Sequence, residues 1–150
     1  MKQAKTLTAQ ELRQALGQAA MSRHAARDKA MLLLTHLAGM RVGEVAALRV
    51  SDVIDAQGNV RAELRLGAHQ TKGNAGRVVF VNERLQKELA AYARTVKRTV
   101  LDAPFFMTQK RTGFSANTLT QHFIVLYKRA GLEGATSHSG RRTFITNLAA

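Results

Sequence analysis

The residues best suited to chemistry lie close to the end of the sequence. His138 and Arg141 are three positions apart, and a helix that begins near Ser139 would bring both side chains to its N-terminal end. Free backbone N–H groups and the helix dipole already favour an anion at such an end. The pair therefore predicts a phosphate-binding corner. The alternative is an ordinary basic surface, on which a histidine and an arginine at a helix start are common.

Two further basic residues lie upstream. Arg41 follows Gly39, a residue typical of a left-handed helix end, and Glu44 stands three residues after Arg41, where it can orient the guanidinium. Lys72 lies in the loop of a predicted β-hairpin. The alternatives are a surface arginine that is simply paired with Glu44, and an ordinary lysine at a hairpin tip.

Hydrophobic periodicity predicts the elements that carry these residues. They are helices over 9–20 and 27–37, a short buried helix over 42–48, a hairpin with strands at 60–66 and 77–81, a helix capped by Asn82, a third strand or buried loop at 105–107, a helix from Ser115 to Gly131, and a final helix from near 139. The predicted fold class is therefore α+β, mostly α-helical, with a small antiparallel β-hairpin or three-stranded sheet.

The composition narrows the class of partner. Lys and Arg number 23 against 10 Asp and Glu, a formal net charge of +13, which favours a polyanion: nucleic acid first, an acidic membrane surface second. The 150 residues match one domain, and no apolar run is long enough to span a bilayer. Without cysteine, disulfides and thiolate metal sites are excluded, and a reducing cytoplasm is permitted.

Three motifs follow one another along nearly the whole chain. They are Leu-Ala-Gly-Met-Arg-Val-Gly-Glu-Val-Ala-Ala-Leu-Arg (37–49), Gln-Thr-Lys-Gly-Asn-Ala-Gly-Arg-Val-Val (70–79) and His-Ser-Gly-Arg-Arg-Thr-Phe-Ile-Thr (138–146). Together they resemble the catalytic domain of the tyrosine recombinases, which include phage integrases and Xer-like site-specific recombinases. The resemblance implies DNA recombination and DNA integration, with double-stranded DNA as the partner, in the cytoplasm and associated with the nucleoid.

The cleavage of a phosphodiester without a metal needs cations on the non-bridging oxygens, a proton for the departing oxygen and a nucleophile in line. Arg41 and Arg141 suit the first task because each planar guanidinium can bind two oxygens. Lys72 is the candidate general acid. The resemblance implies that His138 binds the scissile phosphate or helps to manage the proton of the nucleophile.

The remaining predictions concern positioning, DNA contacts and cofactors. Glu44 is expected to orient Arg41, and Arg77 and Arg142 are candidate DNA contacts, Arg77 as an alternative phosphate contact to Lys72. The other histidines have no metal-ligand spacing, so neither a metal nor another cofactor is expected. These histidines are His24, His36, His69 and His122.

One requirement of the resemblance is unmet. In this family a nucleophilic tyrosine lies well beyond the His-x-x-Arg motif, after a further histidine or tryptophan, and only nine residues follow Arg141. Tyr92 and Tyr127 lie on apolar helix faces and are interpreted as core residues, so no nucleophile is assigned. We expect one catalytic-type domain over 1–150, without the N-terminal core-binding domain and the C-terminal tyrosine segment, which forms no covalent intermediate by itself.

Three functions therefore stay open. The first is a DNA-binding catalytic-domain fragment of a recombinase, and the alternative is a non-catalytic DNA-binding remnant or modulator that occupies recombination sites. General RNA binding ranks last because the few aromatic residues have core-like spacing. Phe144, Ile145 and Leu148 share one face of the final helix, which predicts an exposed apolar patch and self-association.

Overall fold

The computed structural model describes residues 3–71, 75–95 and 100–149. Its elements are α1 (Ala9–Ala19), α2 (Ala25–Ala38), α3 (Val42–Ala47), α4 (Val50–Val53), β1 (Glu63–Leu66), a 3-10 turn (Ala68–Gln70), β2 (Arg77–Phe80), α5 (Glu83–Thr95), α6 (Ala116–Arg129) and α7 (Ser139–Ala149). The predicted fold class, mostly helical with a small antiparallel sheet, is confirmed. The short helix α4 was not predicted.

Local sequence signals set several helix boundaries. The Thr8 hydroxyl accepts a hydrogen bond from the Glu11 N–H at 3.1 Å, and the Glu11 carboxylate accepts one from the Thr8 N–H at 3.0 Å, which is a capping box at the start of α1. Ser115 caps α6 through the N–H of Thr118 at 3.0 Å. Gly39 ends α2 with a φ of 70°, and this left-handed turn brings Arg41 to the start of α3.

Helix α2 is the centre of the core. Residues 30–34 along its middle are 0% exposed, so side chains on every face of the helix are covered. The reason is that α2 packs against α1, α3, α5 and α7 at once. The middle of α2 is apolar on every face, as expected for the part of a helix that other elements enclose.

The sheet consists of two antiparallel strands within the described part of the chain, with Glu63 opposite Phe80 and Leu66 opposite Arg77. A third strand at 105–107 is wrong, and the alternative of a buried loop is correct. Phe105 and Phe106 are 0% and 1% exposed. Both rings pack against the Tyr92 ring of α5, with centroids 5.3 and 5.1 Å from it, whereas successive residues of a strand would point to opposite faces.

Candidate active site

A buried carboxylate organises one half of the site. Glu44, in α3, is 2% exposed and accepts a hydrogen bond from the backbone N–H of Arg41 at 2.9 Å. It also accepts two from the guanidinium of Arg77, from Nε at 2.8 Å and from Nη2 at 2.7 Å. The Nη1 of Arg41 lies 3.6 Å from the Glu44 Oε2. The structure thus contains the Arg41–Glu44 pair, while the orienting role of Glu44 stays a prediction.

The charge of Glu44 follows from its neighbours. Burial alone would raise the pKa of the Glu44 carboxyl, but the hydrogen bonds from Arg77 and from the Arg41 backbone, together with both positive charges, hold that pKa below its ordinary value. Glu44 is therefore ionised at neutral pH. One carboxylate between two guanidiniums leaves this half of the site with a net positive charge.

The guanidinium of Arg77 is already engaged by other groups of the protein. Its Nε and Nη2 are both committed to Glu44, and Nη2 also lies 3.4 Å from the carbonyl oxygen of Gly39. A guanidinium engaged in this way fixes a neighbouring carboxylate and has fewer donors left for a phosphate. The geometry is that of a positioning residue, and a direct contact between Arg77 and DNA stays a prediction.

The other half of the site comes from α7. The helix begins at Ser139, as predicted, and the Ser139 hydroxyl accepts a hydrogen bond from the N–H of Thr136 at 2.9 Å. His138 lies exposed just before this helix. Arg141 donates from Nη1 to the carbonyl of Gly39 at 2.6 Å, which joins α7 to the turn that precedes Arg41.

Arg141 lies in a strongly positive environment. Burial lowers the pKa of Arg141 from its ordinary value, and the positive charges of Arg41 and Arg77 lower it further, against the opposite effect of Glu44. Guanidiniums remain protonated in proteins, so the site holds positive groups at a cost in mutual repulsion. An anion placed between them would relieve that repulsion.

The two halves meet at a cavity of about 780 Å³. Five of the predicted site residues line it: Arg41, Glu44, His138, Arg141 and Arg142. Small and apolar residues of α3, α6 and α7 form other parts of its wall: Val42, Gly43, Ala47, Ala116 and Ile145. Residues that are up to 101 positions apart in the sequence, Arg41 and Arg142, therefore open onto one space.

Lys72 lies outside the described residues, together with residues 73 and 74. Its position relative to the cavity stays a prediction. The chain on either side is described: Gln70 and Thr71 line the cavity, and the Thr71 hydroxyl donates to the carbonyl of Ala75. The described start of the hairpin loop thus lies at the cavity wall, and Ala75, after the loop, contacts Thr71.

Gln70 lines the cavity although nothing in the sequence pattern marks it as a site residue. Its side chain is buried; Nε2 donates to the Ala47 carbonyl at 3.1 Å and to Asp52 Oδ2 at 2.7 Å, while Oε1 accepts from the Gly67 N–H at 2.9 Å. It ties the base of the hairpin loop to α3 and α4. Local spacing does not reveal this role, because two of the three contacts join residues 18 and 23 positions away.

The tyrosines lie in the core, as predicted, with Tyr127 0% and Tyr92 4% exposed. The Tyr127 hydroxyl is 2.8 Å from Nε2 of His36, and burial raises the pKa of Tyr127. Burial also lowers the pKa of His36 to about 4, so this histidine is neutral in the folded protein. Neither tyrosine lines the cavity.

The described ranges contain no group of three or more His, Asp or Glu side chains arranged to hold a metal ion. His122 instead pairs with the buried Asp28, with 2.8 Å between its Nε2 and the carboxylate oxygen. None of the helices in the described ranges is both long enough and apolar enough to cross a membrane.

Residues 5–150 match the Phage integrase family, and the chain belongs to this family. Transposase A from transposon Tn554 of Staphylococcus aureus is 25% identical over 155 residues, which is 98% of this chain and 42% of that protein. The crystal structure of XerA recombinase matches with a TM-score of 0.77 and 28% identity, over 99% of this chain and 51% of that one. The resemblance to the tyrosine recombinases is thereby confirmed.

A further solved structure, the Tn1549 transposon integrase in complex with circular intermediate DNA, shares the fold with a TM-score of 0.71 at 17% identity, over 99% of this chain and 53% of that one. The chain therefore spans about half, or less, of the length of these three proteins.

Proposed function

We propose that this chain is the part of a site-specific recombinase that binds duplex DNA and activates one phosphodiester for cleavage and rejoining. The observation that carries the proposal is the convergence of Arg41, His138 and Arg141 on one cavity. The Glu44 carboxylate accepts a hydrogen bond from the Arg41 backbone and lies 3.6 Å from the Arg41 guanidinium, and the Gly39 carbonyl accepts a hydrogen bond from the Arg141 guanidinium. Cationic groups that are fixed before the substrate arrives stabilise a developing negative charge without reorganisation.

The proposed chemistry assigns one task to each group. Arg41 and Arg141 bind the non-bridging oxygens of the scissile phosphate, and His138 donates a hydrogen bond to the same group. A tyrosine hydroxyl loses its proton to water and forms a new O–P bond while the P–O5′ bond breaks, and Lys72 transfers a proton to the departing 5′-oxygen. Rejoining is the reverse reaction.

The nucleophile has to come from elsewhere. Tyr92 and Tyr127 are both buried in the core of this chain. We propose that a tyrosine outside these 150 residues, in a longer chain or in a partner subunit, completes the site. On this proposal, the 150 residues are one catalytic-type domain that prepares the phosphate but does not by itself cleave it.

Duplex DNA is the proposed partner. The formal net charge of +13 suits a polyanion, and the related Tn1549 integrase was solved with DNA. Self-association on DNA through the exposed part of α7 is a further proposal. The protein would then act where chromosomal DNA is found, in the nucleoid of the cytoplasm.

Salt-dependent DNA binding tests the phosphate site. Fluorescence anisotropy with a labelled duplex, at several salt concentrations, gives the affinity and the slope of log K against log salt. Arg41→Ala and Arg141→Ala should each make the slope shallower by about 0.9, a loss of roughly tenfold in affinity near 0.1 M salt. Arg84→Ala is the charge-matched control, because Arg84 is exposed on α5 and does not line the cavity.

The same measurement separates the two candidate functions. If Arg41 and Arg141 hold a phosphate, their removal must weaken binding more than removal of Arg84 does. A non-catalytic DNA-binding remnant predicts that the three variants lose affinity equally, in proportion to charge. Unchanged slopes in both site variants would refute the proposed phosphate contacts.

A further inference from the structure

Helix α7, which carries Arg141, rests on α2 at two glycine contacts. Gly140 is buried and faces Thr35 and His36 in the last turns of α2. Four residues later, the ring of Phe144 fills the space beside Gly39, where a Cβ would lie 2.7 and 2.9 Å from two of its carbons. One helix face is therefore in contact with α2 at two successive turns.

The contact at Gly140 leaves no room for a side chain. A Cβ on residue 140 would lie 2.5 Å from the Cβ of Thr35 and 3.0 Å from Cδ2 of His36, and it would collide with the Thr35 hydroxyl. Close-packed interiors do not accommodate overlaps of this size without movement. Even a methyl group at position 140 must therefore displace either α2 or α7.

The α2 side of this contact is held in place. The hydroxyl of Thr35 is fully buried and donates to the Leu32 carbonyl at 2.7 Å. His36 is 3% exposed, and its Nε2 is 2.8 Å from the Tyr127 hydroxyl of α6. Moving either side chain would break a buried hydrogen bond. The displacement would therefore fall on α7.

A displacement of α7 would act directly on the candidate active site. Gly140 lies between His138 and Arg141 in the first turn of the helix, and the Arg141 Nη1–Gly39 O hydrogen bond of 2.6 Å depends on how closely α7 approaches α2. Rocking the helix about its first turn gives no relief, because Phe144 already contacts Gly39 one turn later.

We propose that Gly140 is a positioning residue: its missing side chain lets α7 approach α2 closely enough to place His138 and Arg141 opposite Arg41. Its expected effect on DNA binding rests on the proposed function, whereas its effect on the position of Arg141 does not. Gly140 touches no substrate in this proposal and acts through its two neighbours on α7.

Two glycine-to-alanine variants of the 150-residue chain test the proposal. Gly17, exposed in α1, has no atom within 4 Å of its Cβ position, so Gly17→Ala is the matched control with the same gain in helix propensity. Gly140→Ala should shift the NMR signals of the His138 and Arg141 amides and of the Arg141 Nε–H, and should weaken duplex binding by about tenfold or more. Gly17→Ala should leave these signals and the affinity unchanged.

A double-mutant cycle tests the named contact. Thr35→Gly removes the atoms that a Cβ at position 140 would meet first, so Gly140→Ala should reduce affinity much less in a Thr35→Gly background than in the wild type. In an Arg141→Ala background, Gly140→Ala should cost little further affinity, because it acts largely through the missing guanidinium.

The results have definite consequences. The proposal is overturned if Gly140→Ala leaves the Arg141 signals in place, or if Thr35→Gly gives no relief. If Gly140→Ala does not fold, the double variant Thr35→Gly/Gly140→Ala is expected to fold, with the wild-type Arg141 NMR signals and the wild-type affinity for duplex DNA. A double variant that does not recover them overturns the proposal. If Arg141 signals move while Arg141→Ala does not affect DNA affinity, the positioning role stands and the proposed function fails.

Discussion

Glu44 is nearly inaccessible to water and receives three hydrogen bonds, two from the guanidinium of Arg77 and one from the backbone of Arg41. Hydrogen bonds to a charged and buried acceptor are stronger than neutral ones, and the loss of the charge leaves the donors uncompensated. At the scale of single residues, this carboxylate therefore joins the β-hairpin to the start of α3.

The variant Glu44→Gln tests this contribution while it preserves the shape of the side chain. It places an amide NH₂ against guanidinium donors and should lower the free energy of unfolding by roughly 2–4 kcal/mol, measured by urea denaturation. Glu63→Gln is the control: Glu63 pairs with Arg65 at 3.8 Å with both side chains largely exposed, so the change should stay within about 0.5 kcal/mol. Equal losses in the two variants would contradict the role given to Glu44.

His36 predicts a pH dependence of stability. Its pKa is about 4 in the folded chain against 6.5 ordinarily, because burial disfavours the charged ring. Between these values the unfolded chain binds more protons than the folded chain, so stability falls as the pH is lowered below about 6.5. Lowering the pH from 7 to 5.5 should cost about 1 kcal/mol through His36, a range above the titration of most carboxylates.

The contribution of His36 is obtained by difference. The side chain of the His36→Gln variant cannot gain a proton, and its amide can still form a hydrogen bond with the Tyr127 hydroxyl. The free energy of unfolding of this variant should therefore fall by about 1 kcal/mol less than that of the wild type between pH 7 and pH 5.5. Burial also lowers the pKa of His24, which acts in the same direction in both proteins and cancels. Identical pH profiles for the two proteins would show that His36 is not buried in its neutral form.

At the scale of elements, the base of the β-hairpin loop is tied to the helices by Gln70. Its amide forms hydrogen bonds with the carbonyl of Ala47, which is the last residue of α3, with the Asp52 carboxylate of α4 and with the Gly67 N–H. If the loop carries Lys72 as the proposed general acid, it has to return repeatedly to one position, and a buried amide with three hydrogen bonds restricts its base.

Gln70→Ala should therefore have two effects. The buried groups left without a hydrogen bond should lower the free energy of unfolding by about 1–3 kcal/mol in urea denaturation. Duplex binding should also weaken, if the loop carries Lys72 to the DNA as proposed. Gln57→Ala is the control, since Gln57 is exposed in the turn before β1 and should change neither quantity. A stable Gln70→Ala protein would mean that these hydrogen bonds do not hold the loop.

At the scale of the whole molecule, α7 presents an apolar surface to solvent. Ile145 and Leu148 are 49% and 70% exposed, as the predicted patch requires. Phe144 belongs to it only in part, because its ring packs beside Gly39. Apolar side chains exposed next to one another are typical of interaction sites, and self-association through Ile145 and Leu148 stays a prediction.

Self-association through this surface should depend on concentration. Sedimentation velocity at low and high concentration should show a larger average mass for the wild type at the high concentration, and this increase should be lost when Ile145→Ser and Leu148→Ser are combined. Met21→Ser is the control, because Met21 is 80% exposed but lies in the turn after α1 and is not part of α7. A wild type that remains monomeric at both concentrations would refute the prediction.

The ends of several helices could be inferred from the sequence because the interactions that set them are local. Capping at Thr8 and Ser115 and the left-handed turn at Gly39 depend on residues within a few positions of one another. The grouping of Arg41 with His138 and Arg141 came instead from the resemblance to a family, which contains the tertiary information that spacing alone lacks.

The partner of Arg77, the packing of Phe105 and Phe106 and the role of Gly140 were decided by the tertiary structure, because they depend on contacts between residues that are distant in the sequence. The sequence suggests that Arg77 is available to contact a phosphate. Only folding brings its guanidinium to Glu44, which is 33 residues away. The sequence around Phe105 and Phe106 is compatible with a strand, but in the structure both rings pack against Tyr92. Gly140 has no local reason to be glycine. Its reason is Thr35, 105 positions earlier, whose buried side chain occupies the space that a larger residue would need.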